Sequence, residues 1–156
     1  MKKVQSNISP DLLQVGKSFE QKYKAVLDFD GWRVAMLRHS EATDGKTFSR
    51  IERHNETHEV FILSEGEADL IIAGKGNYPE DYSIISMQRS VAYDIQPGVW
   101  HHAILSPDAH IVLFEKDNTS RENSNYYYVS HSEANQLRRK LRAALNSSND
   151  EEFLHG

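Results

Sequence analysis

Short apolar runs recur along this chain from Ala25 onward, each four to eight residues long and each bounded by turn residues. The stretch "AVLDFDGWRVAMLRHS" carries two β-rich runs around Asp30-Gly31, a hairpin pattern. After the polar turn "EATDGK" come "FSRIERH", "EVFILSEG", "EADLIIAG", "SIISM", "SVAYDIQPG", "VWHHAILS", "AHIVLFEK" and "NYYYVS". Their β-branched and aromatic content and their Gly, Pro or Asn boundaries predict antiparallel strands. The pattern predicts an all-β sandwich or barrel of about eight to ten strands.

One segment breaks the pattern. In "SHSEANQLRRKLRAALN", Ala134, Leu137, Leu141, Ala144 and Leu145 recur at helical spacing, and Ser130 with Glu133 forms a capping box. A C-terminal helix over about 131–146 is expected, packed on the sheet, with Arg138, Arg139, Lys140 and Arg142 on its solvated face. Residues 147–156 read as a frayed tail, and Ser9-Pro10-Asp11 as a short helix or turn. One domain over 1–156 is predicted, with the barrel over about 25–130.

Composition narrows the functional classes. Among 156 residues, 18 Lys and Arg face 23 Asp and Glu, for a net charge of -5, and the one basic block is "RRKLR". That balance argues against a nucleic-acid partner, which needs a positive face. No apolar run is long enough to span a bilayer, and the start lacks the apolar core of a leader, so a cytoplasmic location without membrane contact is expected. The chain has no cysteine, so any metal must be held by His, Asp or Glu.

The candidate chemistry lies in the strand region, where five of the eight histidines fall between positions 54 and 110. Residues alternate faces along a strand, so Glu52 and His54 share one side, while beyond the Asn55–Thr57 turn Glu59 and His58 lie on opposite sides. Two neighbouring strands can therefore aim Glu52, His54 and either Glu59 or His58 at one point. The "QPGVWHHAIL" stretch turns at Pro97-Gly98 and supplies a further imidazole, His101 or His102, on alternate faces.

His54 and Glu59, five positions apart, with Gly66 after them, and the unit Pro97-Gly98-x-x-His101 resemble the two motifs of the cupin superfamily. The likeness runs over roughly residues 30 to 130. It implies a cupin-type double-stranded β-helix (a jelly-roll barrel) with the C-terminal α-helix added, and a divalent metal inside the barrel on His54, Glu59 and His101. It also implies a homodimer and a small-molecule ligand. The chain departs from the family at Glu52, where a typical cupin has its first histidine. The resulting donor set suits Mn, Ni, Zn or Fe and is less selective for any one of them.

Within the superfamily, "ERHNETHEVF" and "GVWHHAIL" look most like the ureidoglycolate lyase group. That likeness implies carbon–nitrogen cleavage of a small carboxylated carbinol. Glu52 or His102 would then move protons, an arginine among Arg33, Arg50 and Arg53 would pair with the carboxylate, and Trp100 and His58 would border the substrate. The alternatives within the same fold are an isomerase or dioxygenase, and a binding module for a sugar or small acid without turnover.

Overall fold

The structure, a computed structural model, describes residues 8–154, with side chains described for 8–147. Ser9-Pro10-Asp11 forms a single turn, in which the Ser9 carbonyl accepts from the amides of Leu12 and Leu13 at 2.9 and 3.1 Å. Strands β1 (Tyr23–Phe29) and β2 (Trp32–Arg38) form the expected hairpin. Asp30 and Gly31, with φ of 48° and 81°, both take the left-handed conformation that a two-residue hairpin loop requires.

The other expected runs each become a strand: β3 (Arg50–His54), β4 (Glu59–Glu65), β5 (Ala68–Ile72), β6 (Ser83–Ser86), β7 (Ala92–Ile95), β8 (His101–Leu105), β9 (His110–Lys116) and β10 (Ser124–Tyr128). They form two five-stranded antiparallel sheets, in the orders β1-β2-β9-β4-β7 and β10-β3-β8-β5-β6. Omitting the added strands β1 and β10, consecutive strands alternate between the two sheets from β2 to β5 and from β6 to β9, while β5 and β6 pair as a hairpin within one sheet. This is the expected jelly roll, or double-stranded β-helix.

Strand register divides the interior into two ends. Toward one end, Leu37 on β2, Leu63 on β4, Leu105 on β8 and Ile111 on β9 point inward and fill the space between the sheets. Toward the other, the same faces carry Arg33, Glu59, His101 and Glu115. Apolar packing at one end therefore leaves a polar pocket at the other, walled by strands that the core holds in place.

A second apolar layer lies on the outer face of the β10-β3-β8-β5-β6 sheet. Phe48, Ile51, Ile71 and Trp100 pack there against Leu137 and Leu141 of the helix α1 (His131–Leu154). Ser130 and Glu133 cap that helix as expected: the Ser130 amide donates to the Glu133 carboxylate at 2.7 Å, and the Glu133 amide to the Ser130 hydroxyl at 3.2 Å. The helix extends past the expected end near 146 to Leu154, because "SSNDEEFL" holds no glycine or proline to stop it. Arg138, expected on the solvated face, instead donates to the Gly45 carbonyl at 2.9 Å and lies over the Phe48 ring.

Gly66 closes the β4–β5 turn at φ 69°, with Ala109 so near that a β-carbon would lie 2.5 Å from its Cα. Only glycine fits this crossing. Gly98, at φ 79°, makes the turn into β8, and its amide donates to the His54 carbonyl at 2.8 Å. That bond ties the two sequence-distant motifs together at the backbone.

Candidate metal centre

Four of the predicted residues meet at the polar end of the barrel. Glu52 on β3 stands directly across from His101 on β8, and His54 lies two residues further on the same face of β3. Glu59, at the start of β4, projects toward them from the opposite sheet and settles the choice between Glu59 and His58. His101 Nε2 lies 2.8 Å from Glu59 Oε2, and His54 Nε2 lies 3.5 Å from the same oxygen. The two imidazoles meet edge to face, with ring centroids 5.5 Å apart.

The outer nitrogen of each ring is already engaged. His101 Nδ1–H donates to the Val99 carbonyl at 2.9 Å, and a carbonyl oxygen can only accept, so the tautomer is fixed. His54 Nδ1 is hydrogen-bonded to the Ser124 hydroxyl at 2.7 Å, which turns Nε2 inward. A neutral His101 therefore aims a lone pair at a carboxylate oxygen 2.8 Å away. Two acceptors at that distance need a positive particle between them, either a proton or a metal ion.

Electrostatics take the same direction. Burial by itself would lower His101, but the Glu59 carboxylate more than offsets it and raises the imidazole above its ordinary value. Burial would raise Glu59, and the bond to His101 with the charge of His54 leaves it below the usual carboxylate range. The pair is built to hold a positive charge.

The donor set fits a divalent cation. Donor atoms about 2.0–2.2 Å from a shared ion stand roughly 2.8–3.6 Å apart in octahedral or tetrahedral arrangements, and the two imidazole–carboxylate separations are 2.8 and 3.5 Å. Two overlapping triads, Glu52 with His54 and His101, and His54 with Glu59 and Glu115, each place their donor atoms within 4.8 Å of one another. Ligating histidines commonly donate their other ring N–H to a carbonyl or similar partner, the role Val99 plays here.

Glu115 escaped the sequence reading. It lies on β9 at a register position facing Arg33 on β2, and it is buried. The Tyr23 hydroxyl donates to it at 2.5 Å. Burial, followed by the nearby Glu59 carboxylate, pushes the Glu115 carboxyl up to about 7. The alternation Ile111, Leu113, Glu115 was the available signal: a carboxylate continuing an otherwise apolar inward face.

A cavity of about 490 Å³ opens above the cluster. Arg33 and Arg50, two of the predicted substrate partners, line it, Arg33 near Asp28 (3.0 Å) and Arg50 near Glu52 (3.4 Å). The other four candidates lie elsewhere or in the wall. His102 sits on the opposite face of β8 from His101, where its ring stacks on Phe48 and Nε2–H donates to the Ala42 carbonyl at 2.8 Å. Burial pushes it down to about 4, so it stands as a neutral packing residue and not as the expected proton shuttle.

Arg53 projects from the outer face of β3, where it donates to the Gly76 carbonyl and covers the Trp100 ring at 4.6 Å. Trp100 is buried in the layer under α1 and also donates to the Gly76 carbonyl. His58 is paired with Asp94 at 3.0 Å on the surface. None of these three borders the cavity; strand alternation carries each to the far side of its sheet.

No family model matches the chain, and no curated protein matches it. Among solved structures, it is similar to a cupin-2 domain-containing protein from Shewanella frigidimarina, with 21% identity over 68% of this chain and 86% of the other, at a TM-score of 0.44. It is also similar to a tomato vicilin (12% identity, 74% and 33% of the two chains, TM-score 0.47). A third likeness is to hydroxypropylphosphonic acid epoxidase from S. wedmorenis (12% identity, 60% and 49%, TM-score 0.45). Likenesses of this size carry no argument about activity. The jelly roll rests on the strand order, and the candidate centre on its own donor geometry.

Proposed function

We propose that this chain is a divalent-metal enzyme with lyase-like chemistry on a small hydroxy acid, cleaving a carbon–nitrogen bond at a carbinol carbon. The observation that carries the reading is the pair of inward-turned imidazoles, each with Nδ1 engaged and Nε2 directed at Glu59. His54, His101 and Glu59 would hold the cation, with Glu52 beside them. A divalent ion there would polarise substrate oxygens as a Lewis acid.

The protein's own groups supply the rest. Such a cleavage removes the carbinol proton, breaks the carbon–nitrogen bond to leave a carbonyl, and protonates the departing nitrogen. Glu115, positioned by the Tyr23 hydroxyl beside the cluster, is the group for that proton transfer. Arg33 and Arg50 on the wall favour an anionic substrate. The apolar inner wall of Phe61, Ala103 and Leu113 excludes bulk water from the far side.

The test is urea release from ureidoglycolate, together with carbonyl formation from other carbinol acids bearing an amine or ureido group. Purified protein would be assayed after reconstitution with Mn, Ni, Zn or Fe. Metal-dependent turnover that disappears in Glu115→Gln supports the proposal. Tight binding of these acids with no turnover under any metal would replace it with a binding module.

A further inference from the structure

The cavity mouth carries an arginine that has no partner among the described residues. Four cationic side chains line the cavity: Lys22, Arg33, Arg50 and Arg121. Lys22 is paired with Glu20 at 2.8 Å and Arg33 with Asp28 at 3.0 Å. Arg50 lies near Glu52 and over the Tyr126 ring, 4.5 Å from its centroid. Arg121, among the described residues, makes no hydrogen bond, ion pair or ring contact.

Its backbone, by contrast, is held firmly. Arg121 opens a 3-10 turn, Arg121–Asn123, capped by Ser120, whose amide donates to Asn123 Oδ1 at 2.9 Å and whose hydroxyl accepts from the Glu122 amide at 3.2 Å. Asn123 Nδ2 donates to the Asn118 carbonyl, and the Asn123 carbonyl accepts from the Asn55 amide at 2.9 Å. The next residue, Ser124, holds His54 Nδ1. The turn that presents Arg121 is thus fixed to the same strand end and the same imidazole that build the floor of the cavity.

We infer that Arg121 is a specificity residue that anchors an acidic group of the ligand at the cavity mouth, apart from the ligand oxygens at the metal cluster. The inference rests on the metal-site reading for the identity of the floor. The substrate class it names is a bifunctional anion: a hydroxy acid at one end, and a carboxylate or phosphate at the other. The carboxyls at the floor are matched: Glu52 and Glu59 by Arg50, by the imidazoles and by the cation they would hold, and Glu115 by the Tyr23 hydroxyl. The unmatched charge lies at the mouth and is positive. A cavity of about 490 Å³ also has room for such a ligand beyond the metal-binding end.

The experiment is calorimetric titration of the full metal-loaded chain with lactate, malate and 3-phosphoglycerate, beside elemental analysis of the same samples. Malate or 3-phosphoglycerate should bind about tenfold or more tightly than lactate, the range for a charge-assisted hydrogen bond. The tighter of the two tells a carboxylate from a phosphate. Arg121→Gln should bring all three to near parity with metal content unchanged, and Arg121→Lys should keep part of the preference. Equal affinities in the wild type, a preference untouched by Arg121→Gln, or no binding of any of the three overturns the inference. If the chain takes up no metal, the metal-site reading fails, and the same titrations on metal-free protein still read Arg121.

Discussion

His101 and Glu59 face each other across the two sheets at 2.8 Å, imidazole nitrogen to carboxylate oxygen, while the other nitrogen of His101 is spent on the Val99 carbonyl. With Nδ1–H spent on Val99, Nε2 and the Glu59 oxygen can stand this close only around a proton or a metal ion, which makes the cluster a candidate cation site. The same logic makes Ser124 a positioning residue for His54. Ser124→Ala should weaken metal binding by about 10–100-fold, the usual cost of losing a ligand's outer hydrogen bond. Competition with a chromogenic chelator measures this, and an unchanged affinity would count against the assigned orientation of His54.

Glu115 and the three cluster residues should separate in their effects. Glu115→Gln keeps the shape of the side chain, so metal content should stay near that of the wild type while kcat falls by about 10²–10⁴-fold. Tyr23→Phe removes the hydroxyl that positions Glu115 and should give a smaller fall in kcat with little change in KM. Steady-state kinetics with elemental analysis checks both. Loss of metal in Glu115→Gln would move Glu115 into the ligand set.

His102 should matter for stability and not for metal. Replacing it with phenylalanine keeps an aromatic ring beside Phe48 but leaves the Ala42 carbonyl without its donor. Denaturant unfolding should show a loss of about 1–3 kcal/mol, with metal content unaltered. A His102→Phe protein of wild-type stability that has lost turnover would restore the proton-shuttle role.

Gly66→Ala tests the crossing of the β4–β5 turn over Ala109. The substituted residue would need a left-handed φ of 69° and a contact of 2.5 Å with backbone. Strain of about 1–3 kcal/mol from the backbone alone is expected, and the clash adds to it. Thermal unfolding should fall clearly, whereas Gly31→Ala, with open space around its β-carbon position, should lose less.

Most of the fold was legible in the sequence because the strands are short and cleanly punctuated. Asp30-Gly31 announced the first hairpin, and every later apolar run became one strand. The pairing of sheets was not legible from alternation alone; it followed from the spacing of His54, Glu59, Gly66, Pro97, Gly98 and His101 through the family resemblance. Within the site, alternation put Glu52 with His54 and set His101 apart from His102. It could not say which face of β8 or β4 looked inward, since both faces of β8 are buried, one in the barrel and one beneath α1.

Two of the misplaced residues share one physical cause. Arg53 and Trp100 are polar or amphipathic groups on a sheet face that α1 and the 74–77 turn cover, so they resemble site residues in composition while serving a second packing layer. Glu115, Tyr23 and Arg121 were missed for the opposite reason. Each lies in a segment without a recognisable motif; strand register brings Tyr23 and Glu115 to the pocket, and the turn between β9 and β10 brings Arg121.

The central claim is that His54, Glu59 and His101 form a divalent-metal site. Its most direct test is elemental analysis after reconstitution and desalting, comparing wild type with His54→Ala, His101→Ala and the surface control His58→Ala. About one equivalent of metal is expected in the wild type and in His58→Ala, with loss of that metal in both cluster variants. No metal in the reconstituted wild type, or equal metal in all four proteins, would contradict it.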